Sequence, residues 1–338
     1  GIPKGAVYTH EVFDAQVRLI RDTYRIEPGE IDLPTFPLFA LFDPALGMTS
    51  VLPRMDFRYP ARADPAKLVE AITTHRCTMM FGSPALLDNL GRYGVEKGIT
   101  LPSLRRVLCA GAPVRTDVLA RMSQLLTGDA QLFTPFGATE ALPVASIGSK
   151  EVLGETASAA AAGQGVCVGR PVEGMTVRII GISDAPIPHW SDALLVAPGE
   201  IGEITVRGPV VTREYYARPE QTALAKVREG DQTVHRMGDV GRFDAQGRLW
   251  MCGRKSHRVV AVDRTHFTVP VEEVLNQHPQ VRRTALVGVG ERGQQQPVVL
   301  VEREPGGGKE DEAVLSELRA LAGRAPVTAA LERFEIFP

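Results

Sequence analysis

Residues 78–126 read TMMFGSPALLDNLGRYGVEKGITLPSLRRVLCAGAPVRTDVLARMSQLL, a stretch in which short apolar runs alternate with longer runs of helical apolar spacing. This alternation predicts strands over residues 78–82 and 105–109 and helices over residues 84–97 and 116–126. Strands and helices that alternate in this way are typical of an α/β layer built on a parallel sheet. The stretch therefore places the chain in the α/β class.

The flanking regions extend this pattern and then change it. Upstream, residues 6–26 are expected to form a helix, and Asp64 can cap another helix that starts at Pro65. Farther along the chain, strand-like runs separated by turn residues predict an antiparallel or barrel-like subdomain. The final unit mixes helices and strands, so we assign residues 1–254 and 255–338 to two domains.

Composition narrows the class of partners. The chain has 338 residues, of which 44% are hydrophobic and 23% are charged, as in ordinary globular proteins of about two domains. The net charge of −2 gives the protein no overall positive potential that would attract a polyanion, so nucleic acid is not expected as a partner. No uninterrupted apolar run approaches the roughly 20 residues that span a bilayer, so no membrane span is expected.

The four cysteines, Cys77, Cys109, Cys167 and Cys252, are widely spaced in apolar, strand-like contexts. This favours buried, reduced thiols over a disulfide framework. The first 30 residues carry no apolar region followed by a small-residue cleavage site. A cytoplasmic location is therefore expected.

The first five residues, GIPKG, form a glycine-flanked loop that presents the cation of Lys4. The backbone of such a loop can approach phosphate closely, and a lysine reaches phosphate oxygens as a mobile point charge. The loop lacks the glycine spacing and the Lys-Ser/Thr pair of a Walker A motif. On its own, the pattern favours a surface turn over a phosphate-binding loop.

Residues 136–140, FGATE, place a flat aromatic ring, a small backbone, a hydroxyl and a carboxylate in one loop. Phe136 and Gly137 suit contact with a base, Thr139 can hydrogen-bond a phosphate, and Glu140 can hold Mg²⁺, which prefers carboxylate and phosphate oxygens. A structural turn would explain the same residues nearly as well.

Two further candidate sites are indicated, one after a predicted strand and one at Asp239 and Arg254, which flank a hairpin-like segment. Gly111, Ala112 and Pro113 come at the carboxyl end of a strand, where α/β folds bind ligands. Asp239 can accept hydrogen bonds from sugar hydroxyls, and Arg254 can bridge a ribose or phosphate oxygen. For Asp239 and Arg254, a surface ion pair is the alternative interpretation.

The order and spacing of these pieces resemble the adenylate-forming superfamily, which comprises acyl-CoA synthetases, peptide-synthetase adenylation domains and luciferases. The matching stretches are GIPKG (1–5), GAP (111–113), FGATE (136–140), GEITVRG (202–208), MGDVGRFDAQGRLWMCGRK (237–255) and PVEEVLNQHPQVRRTALVGV (270–289). The resemblance implies a large N-terminal domain of α/β sheets plus a distorted β-barrel, here lacking its upstream half, over residues 1–254. A small C-terminal α+β lid, incomplete at its end, is implied over residues 255–338.

The resemblance also implies ATP and Mg²⁺ as cofactors and assigns roles to the matching residues. Lys4 corresponds to the phosphate-loop lysine, Thr139 to the α-phosphate ligand and Glu140 to the Mg²⁺ ligand, which are the implied catalytic residues. The implied nucleotide-binding residues are Gly111, Ala112, Pro113, Phe136 and Gly137 around adenine, with Asp239 and Arg254 at the ribose.

Within the superfamily, residues 36–58 and 257–279 resemble the subfamily that closes β-lactones in bacterial long-chain olefin synthesis. That resemblance implies that a 2-alkyl-3-hydroxy fatty acid is adenylated and then cyclised by its own hydroxyl, with release of AMP and pyrophosphate. It names a fatty acid as substrate and the other enzymes of the olefin pathway as candidate partners.

Two departures bear on the subfamily. Ala40 stands where many acyl-CoA synthetases have a histidine. Ser256 corresponds to the superfamily's usual hinge position, and residues 259–266 lack the glycine that commonly follows that hinge. Because glycine permits close backbone approach to a ligand arm, its loss disfavours thioester formation. The alternatives are a long-chain fatty acyl-CoA ligase and a non-catalytic binding protein of the same fold.

Overall fold

A computed structural model describes residues 3–306 and 308–337. The helices are α1 (His10–Tyr24), α2 (Pro37–Ala40), α3 (Asp43–Leu46), α4 (Pro65–His75), α5 (Pro84–Lys97), α6 (Thr116–Leu125), α7 (Ser149–Glu151), α8 (Ala157–Ala159), α9 (Pro219–Ala225), α10 (Thr268–Leu275) and α11 (Asp311–Ala322). Short 3₁₀ turns lie at Pro60–Arg62, Asp192–Leu194 and Lys255–His257, and π-helical turns extend α7 and α8.

The strands divide among three sheets. In chain order they are β1 (Ile31–Pro34), β2 (Thr49–Ser50), β3 (Met79–Gly82), β4 (Arg106–Cys109), β5 (Gln131–Ala138), β6 (Ala141–Gly148), β7 (Val166–Pro171), β8 (Thr176–Ile180), β9 (Gly202–Arg207), β10 (Lys226–Glu229), β11 (Gln232–Phe243), β12 (Leu249–Arg254), β13 (Val259–Val260), β14 (Thr265–His266), β15 (Val281–Val289), β16 (Gln296–Arg303) and β17 (Arg333–Ile336).

Local sequence signals explain where the helices begin and end. The side chain of Asp64 accepts a hydrogen bond from the backbone N–H of Ala66 at 3.0 Å, which caps α4 as predicted. Ser83 caps α5 through the N–H of Leu86 at 3.4 Å, and Gly98 ends that helix with φ +62°. The predicted helix over residues 6–26 is shorter, because Thr9 caps its start and the chain turns left-handed at Arg25.

The large sheet changes from parallel to antiparallel along its width. Its strand order is β2-β1-β3-β4-β5-β6-β7-β12-β11-β9-β8, with β10 paired to β11. Strands β2 to β5 pair in parallel, and every pairing from β5–β6 onward is antiparallel. The predicted α/β layer is confirmed, and the antiparallel strands occupy the region expected to be barrel-like. The carboxyl ends of β4 and β5 therefore lie side by side.

The parallel strands and their helices enclose the largest apolar core. Leu33, Met80, Val107 and Leu132, one from each of β1, β3, β4 and β5, are fully buried against side chains of α4, α5 and α6. All four cysteines are described, buried and free of disulfide bonds, as expected. Burial raises the pKa of the Cys109 and Cys252 thiols to about 12 in each case.

Residues 255–337 contain their own sheet and core. Strands β15, β16 and β17 form a three-stranded sheet on which α10 and α11 pack, and β13 and β14 form a separate hairpin. Residues 288–293, which fit the pattern GxGxxG, comprise the last two residues of β15 and the first part of the turn that leads to β16. The domain boundary at Arg254 and Lys255 stays a prediction. Within the described ranges, no helix combines the length and the apolar character that crossing a membrane requires.

Candidate adenylate-forming site

One cavity of about 950 Å³ collects nearly all the residues that the sequence singles out. It opens beyond the carboxyl ends of β4 and β5, beside β11 and β12, and faces α10 and β15. The predicted site residues that line it are Gly111, Ala112, Pro113, Phe136, Gly137, Thr139, Glu140, Asp239 and Arg254. Lys4 is not part of this lining, and Gly1 and Ile2 of its loop lie outside the described residues.

The turn after β4 and the end of β5 present backbone to the cavity. Residues 136–138 belong to β5, so the predicted loop over residues 136–140 is reduced to Thr139 and Glu140, which join β5 to β6. Gly111 has φ +99°, a conformation that favours glycine, and among the described residues only its chain neighbours come within 4 Å of where a Cβ would stand. At Gly137 the reason for glycine is different, because a Cβ there would lie 2.7 Å from the carbonyl oxygen of Ala141. The turn after β4 thus leaves space in the cavity, while the end of β5 is packed closely against the start of β6.

Tyr215, which no sequence motif indicated, forms hydrogen bonds with both Glu140 and Lys4. The Tyr215 hydroxyl donates to Oε1 of Glu140, and Nζ of Lys4 donates to the same hydroxyl at 3.3 Å. Lys4 also lies over the Tyr215 ring, with Nζ 4.4 Å from the ring centroid. Burial and then the Glu140 carboxylate raise the pKa of Tyr215, so its hydroxyl stays protonated and able to donate.

A second lysine lies near this centre. Lys226, the first residue of β10, is buried, and its Nζ donates to Oγ1 of Thr212 at 3.1 Å. Burial lowers the pKa of Lys226 to about 7, while the charge of Glu140 opposes the shift and that of Lys4 adds to it. Neither Tyr215 nor Lys226 belongs to a short motif, so sequence reasoning missed both.

Asp239 and Arg254 face each other on adjacent strands. They are Cα partners of β11 and β12, and Nη1 of Arg254 lies 3.0 Å from Oδ1 of Asp239. The Asp239 side chain is 9% exposed and that of Arg254 is 56% exposed, so the carboxylate is buried while its cationic partner lies at the surface. Burial raises the pKa of Asp239, and Arg254 opposes the shift. The pair brings one acceptor and one cation to the cavity rim.

The opposite wall comes from the segment after Arg254. Glu272 of α10 lines the cavity, and its Oε1 accepts a hydrogen bond from the N–H of Leu286 at 3.0 Å. Burial raises the pKa of Glu272, and burial followed by the charge of Glu272 raises the pKa of Glu273 to about 7. The cavity is thus closed on one side by a part of the chain that has its own core.

Comparison with known proteins identifies the family of the chain. Residues 1–216 match the family described as AMP-binding enzyme. The chain is 52% identical over 340 residues to the olefin beta-lactone synthetase of Xanthomonas campestris pv. campestris and 50% identical over 344 residues to that of Stenotrophomonas maltophilia. These alignments cover 99% and 100% of this chain but 60% and 61% of the relatives. The chain therefore spans about three fifths of the length of the curated relatives that it matches.

Solved structures give the same fold. The amide bond synthetase McbA of Marinactinospora thermotolerans superposes with a TM-score of 0.79 at 26% identity, covering 100% of this chain and 64% of that one. The O-succinylbenzoate CoA synthetase of Bacillus subtilis, solved with ATP and magnesium ion, gives a TM-score of 0.77 at 21% identity, with coverages of 100% and 64%. With the family match over residues 1–216, the predicted fold is confirmed, and the chain belongs to the family of AMP-binding, adenylate-forming enzymes.

Proposed function

We propose that the protein activates a fatty carboxylic acid as an acyl-adenylate, using ATP and Mg²⁺. The observation that supports this most directly is that residues 136–140, the Gly111–Pro113 turn, Asp239 and Arg254 line one cavity, with Lys4 linked to Glu140 through Tyr215. Membership of the AMP-binding family supports the same activity.

The chemistry requires that like charges be brought together. A carboxylate is a poor electrophile, and joining it to AMP supplies a leaving group, but its oxygen must first approach the negatively charged α-phosphate. In the proposed mechanism Lys4 offsets phosphate charge and Thr139 hydrogen-bonds the α-phosphate. Glu140 would hold Mg²⁺, since one carboxylate shared with substrate phosphates is the usual way in which proteins bind this ion. The bound ion would act as a Lewis acid on phosphate oxygens.

Asp239 and Arg254 are proposed to hold the ribose, while Phe136 and the Gly111–Pro113 turn contact the adenine. We expect Asp239→Ala to weaken ATP binding by about 1–3 kcal/mol, because hydrogen bonds to a charged acceptor are lost. The fold should be retained, since the Arg254 side chain left behind is 56% exposed and remains solvated.

Titration calorimetry with ATP measures this effect. Asp129→Ala, which removes a fully exposed carboxylate paired with Lys150 at 3.3 Å, is the matched control and should bind ATP as the wild type does. An Asp239→Ala protein with the ATP affinity of this control would remove Asp239 from the site.

We further propose that the acid is a 2-alkyl-3-hydroxy fatty acid and that the product is a β-lactone. The support is the 52% and 50% identity to two olefin beta-lactone synthetases, together with the absence of glycine from residues 259–266. In this reaction the substrate hydroxyl oxygen bonds to the carbonyl carbon, AMP leaves with the electrons of the C–O bond, and the hydroxyl proton is released. The nucleophile is tethered, and well-oriented intramolecular attack can reach effective molarities of about 10⁵ M or more. Strain in the four-membered ring opposes this step, and cleavage of the mixed anhydride drives it.

A product assay tests this specificity. With ATP, Mg²⁺ and a synthetic 2-alkyl-3-hydroxy acid, the full-length protein should yield β-lactone and AMP without CoA. The 3-deoxy analogue should be adenylated and then stall as bound acyl-adenylate, since it has no internal nucleophile. Mass spectrometry of the products distinguishes the outcomes.

Addition of CoA to the stalled adenylate separates the alternatives. Persistent adenylate supports the lactone synthetase, and rapid acyl-CoA formation would instead establish a fatty acyl-CoA ligase. Absence of pyrophosphate exchange with every acid tested would favour a non-catalytic binding protein of the same fold.

A further inference from the structure

The segment that contains Tyr215 is fixed against the Lys4 loop by backbone hydrogen bonds. Ala6 and Tyr215 form an antiparallel bridge, in which the N–H of Tyr216 donates to the carbonyl of Gly5 at 2.7 Å. The N–H of Tyr215 itself donates to Oγ1 of Thr222 at 3.0 Å, which ties the segment to α9. These bonds place Lys4 and Tyr215 together although 211 positions separate them.

The same segment holds Glu140 at two points. The Tyr215 hydroxyl donates to the Glu140 carboxylate. The backbone N–H and the hydroxyl of Thr212 both donate to the Glu140 carbonyl oxygen, at 2.9 and 3.2 Å. Main chain and side chain of Glu140 are therefore both oriented by residues of one short stretch.

Lys226 contacts both Thr212 and Tyr215. Its Nζ donates to the Thr212 hydroxyl at 3.1 Å and lies 5.7 Å from the centroid of the Tyr215 ring. Tyr215 is only 4% exposed, so its ring is held by packing and by both lysines. The hydroxyl of this buried ring accepts from Lys4 and donates to the Glu140 carboxylate.

We propose that Tyr215 is a positioning residue of the adenylating centre: its hydroxyl orients the Glu140 carboxylate for Mg²⁺ and couples that carboxylate to Lys4. This inference rests on the proposed function and goes beyond it, because Tyr215 touches neither the adenine nor the ribose side of the cavity. Removing the hydroxyl frees the carboxylate to rotate and leaves Lys4 without its shared partner.

The test compares Tyr215→Phe with Tyr216→Phe in the full-length protein. Tyr216 is 77% exposed, so its variant controls for the loss of a tyrosine hydroxyl next to the site. ATP affinity is measured by calorimetry with and without Mg²⁺, and pyrophosphate exchange is measured over a range of Mg²⁺ concentrations. For Tyr215→Phe we expect the gain in ATP affinity on adding Mg²⁺ to fall about tenfold, as loss of a hydrogen bond to a charged group implies.

Half-maximal exchange should require a correspondingly higher Mg²⁺ concentration, while Tyr216→Phe should match the wild type in both measurements. A Tyr215→Phe protein whose Mg²⁺ dependence equals that of the control overturns the inference, even if its melting temperature or maximal rate has fallen. A wild-type protein that binds ATP with Mg²⁺ but catalyses no exchange overturns the proposed function, and the affinity ratio still decides the role of Tyr215. A wild type whose ATP affinity does not respond to Mg²⁺ overturns both.

Discussion

Glu140→Ala is expected to abolish acyl-adenylate formation, with pyrophosphate exchange falling by at least about 10²–10³-fold, the effect of removing one preorganised electrostatic group. The proposed reason is loss of the carboxylate that would hold Mg²⁺ against the phosphates. The Lys4 charge remains, but its link through Tyr215 no longer leads to a carboxylate. ATP–pyrophosphate exchange measures the loss directly.

The fold should survive this substitution. Glu140 contacts Thr212 through its backbone carbonyl, which alanine retains, and its side chain is only partly buried. Circular dichroism should therefore give a melting curve close to that of the wild type. Glu214→Ala removes an exposed carboxylate next to Tyr215 and serves as control, with exchange at the wild-type rate. If Glu140→Ala exchanged as fast as this control, Glu140 would have no part in the reaction.

The parallel half of the fold could be predicted because its signals are local. The bounds of α5 agree with the predicted residues 84–97, since Ser83 caps the start and Gly98 ends the helix in a left-handed conformation. Strands β3 and β4 each begin one residue later than predicted. Parallel strands bring their carboxyl ends to one edge of a sheet, and this is why loops far apart in sequence meet at one cavity.

The residues that organise the site could not be predicted in this way. Tyr215 lies 75 positions from Glu140 and 211 from Lys4, and Lys226 reaches Thr212 across a turn and a helix. Such contacts produce neither a periodic pattern of residue types nor a motif of fixed spacing in the sequence. The contact between Lys4 and Tyr215 accompanies the β-bridge between Ala6 and Tyr215, which pairs two segments that are far apart in the sequence.

A buried ion pair in the antiparallel region escaped sequence reasoning for a related reason. Strand periodicity predicts apolar side chains on a buried face, yet Arg236 and Glu203 occupy such positions on β11 and β9 with side chains 1% exposed in both cases. Their charges are compensated by contacts that only the folded chain provides. Two of these partners, Ser183 and Ala185, come from a loop more than 50 positions from Arg236.

Arg236→Met is expected to lower the free energy of unfolding by about 3–5 kcal/mol, the cost of removing one partner from a buried ion pair. Nε of Arg236 lies 3.1 Å from Oε1 of Glu203 and Nη2 lies 2.7 Å from Oε2. Nη1 donates to the carbonyls of Ala185 and Leu224 at 2.8 and 3.0 Å. Methionine preserves much of the apolar stem but leaves these acceptors without a donor. Urea denaturation followed by circular dichroism measures the change.

Arg213→Met is the matched control, because its side chain is 78% exposed and lies 3.9 Å from Glu11, itself 85% exposed. Exposed pairs of this kind contribute about 0–1 kcal/mol, so the control should unfold almost as the wild type does. Glu203 keeps Lys255 as a partner at 3.0 Å in Arg236→Met, which limits the loss to one of its two cations. Equal stabilities of the two variants would mean that desolvation of Arg236 and Glu203 cancels their attraction. The pair would then determine how the Ser183–Ala185 loop is placed and would contribute nothing to stability.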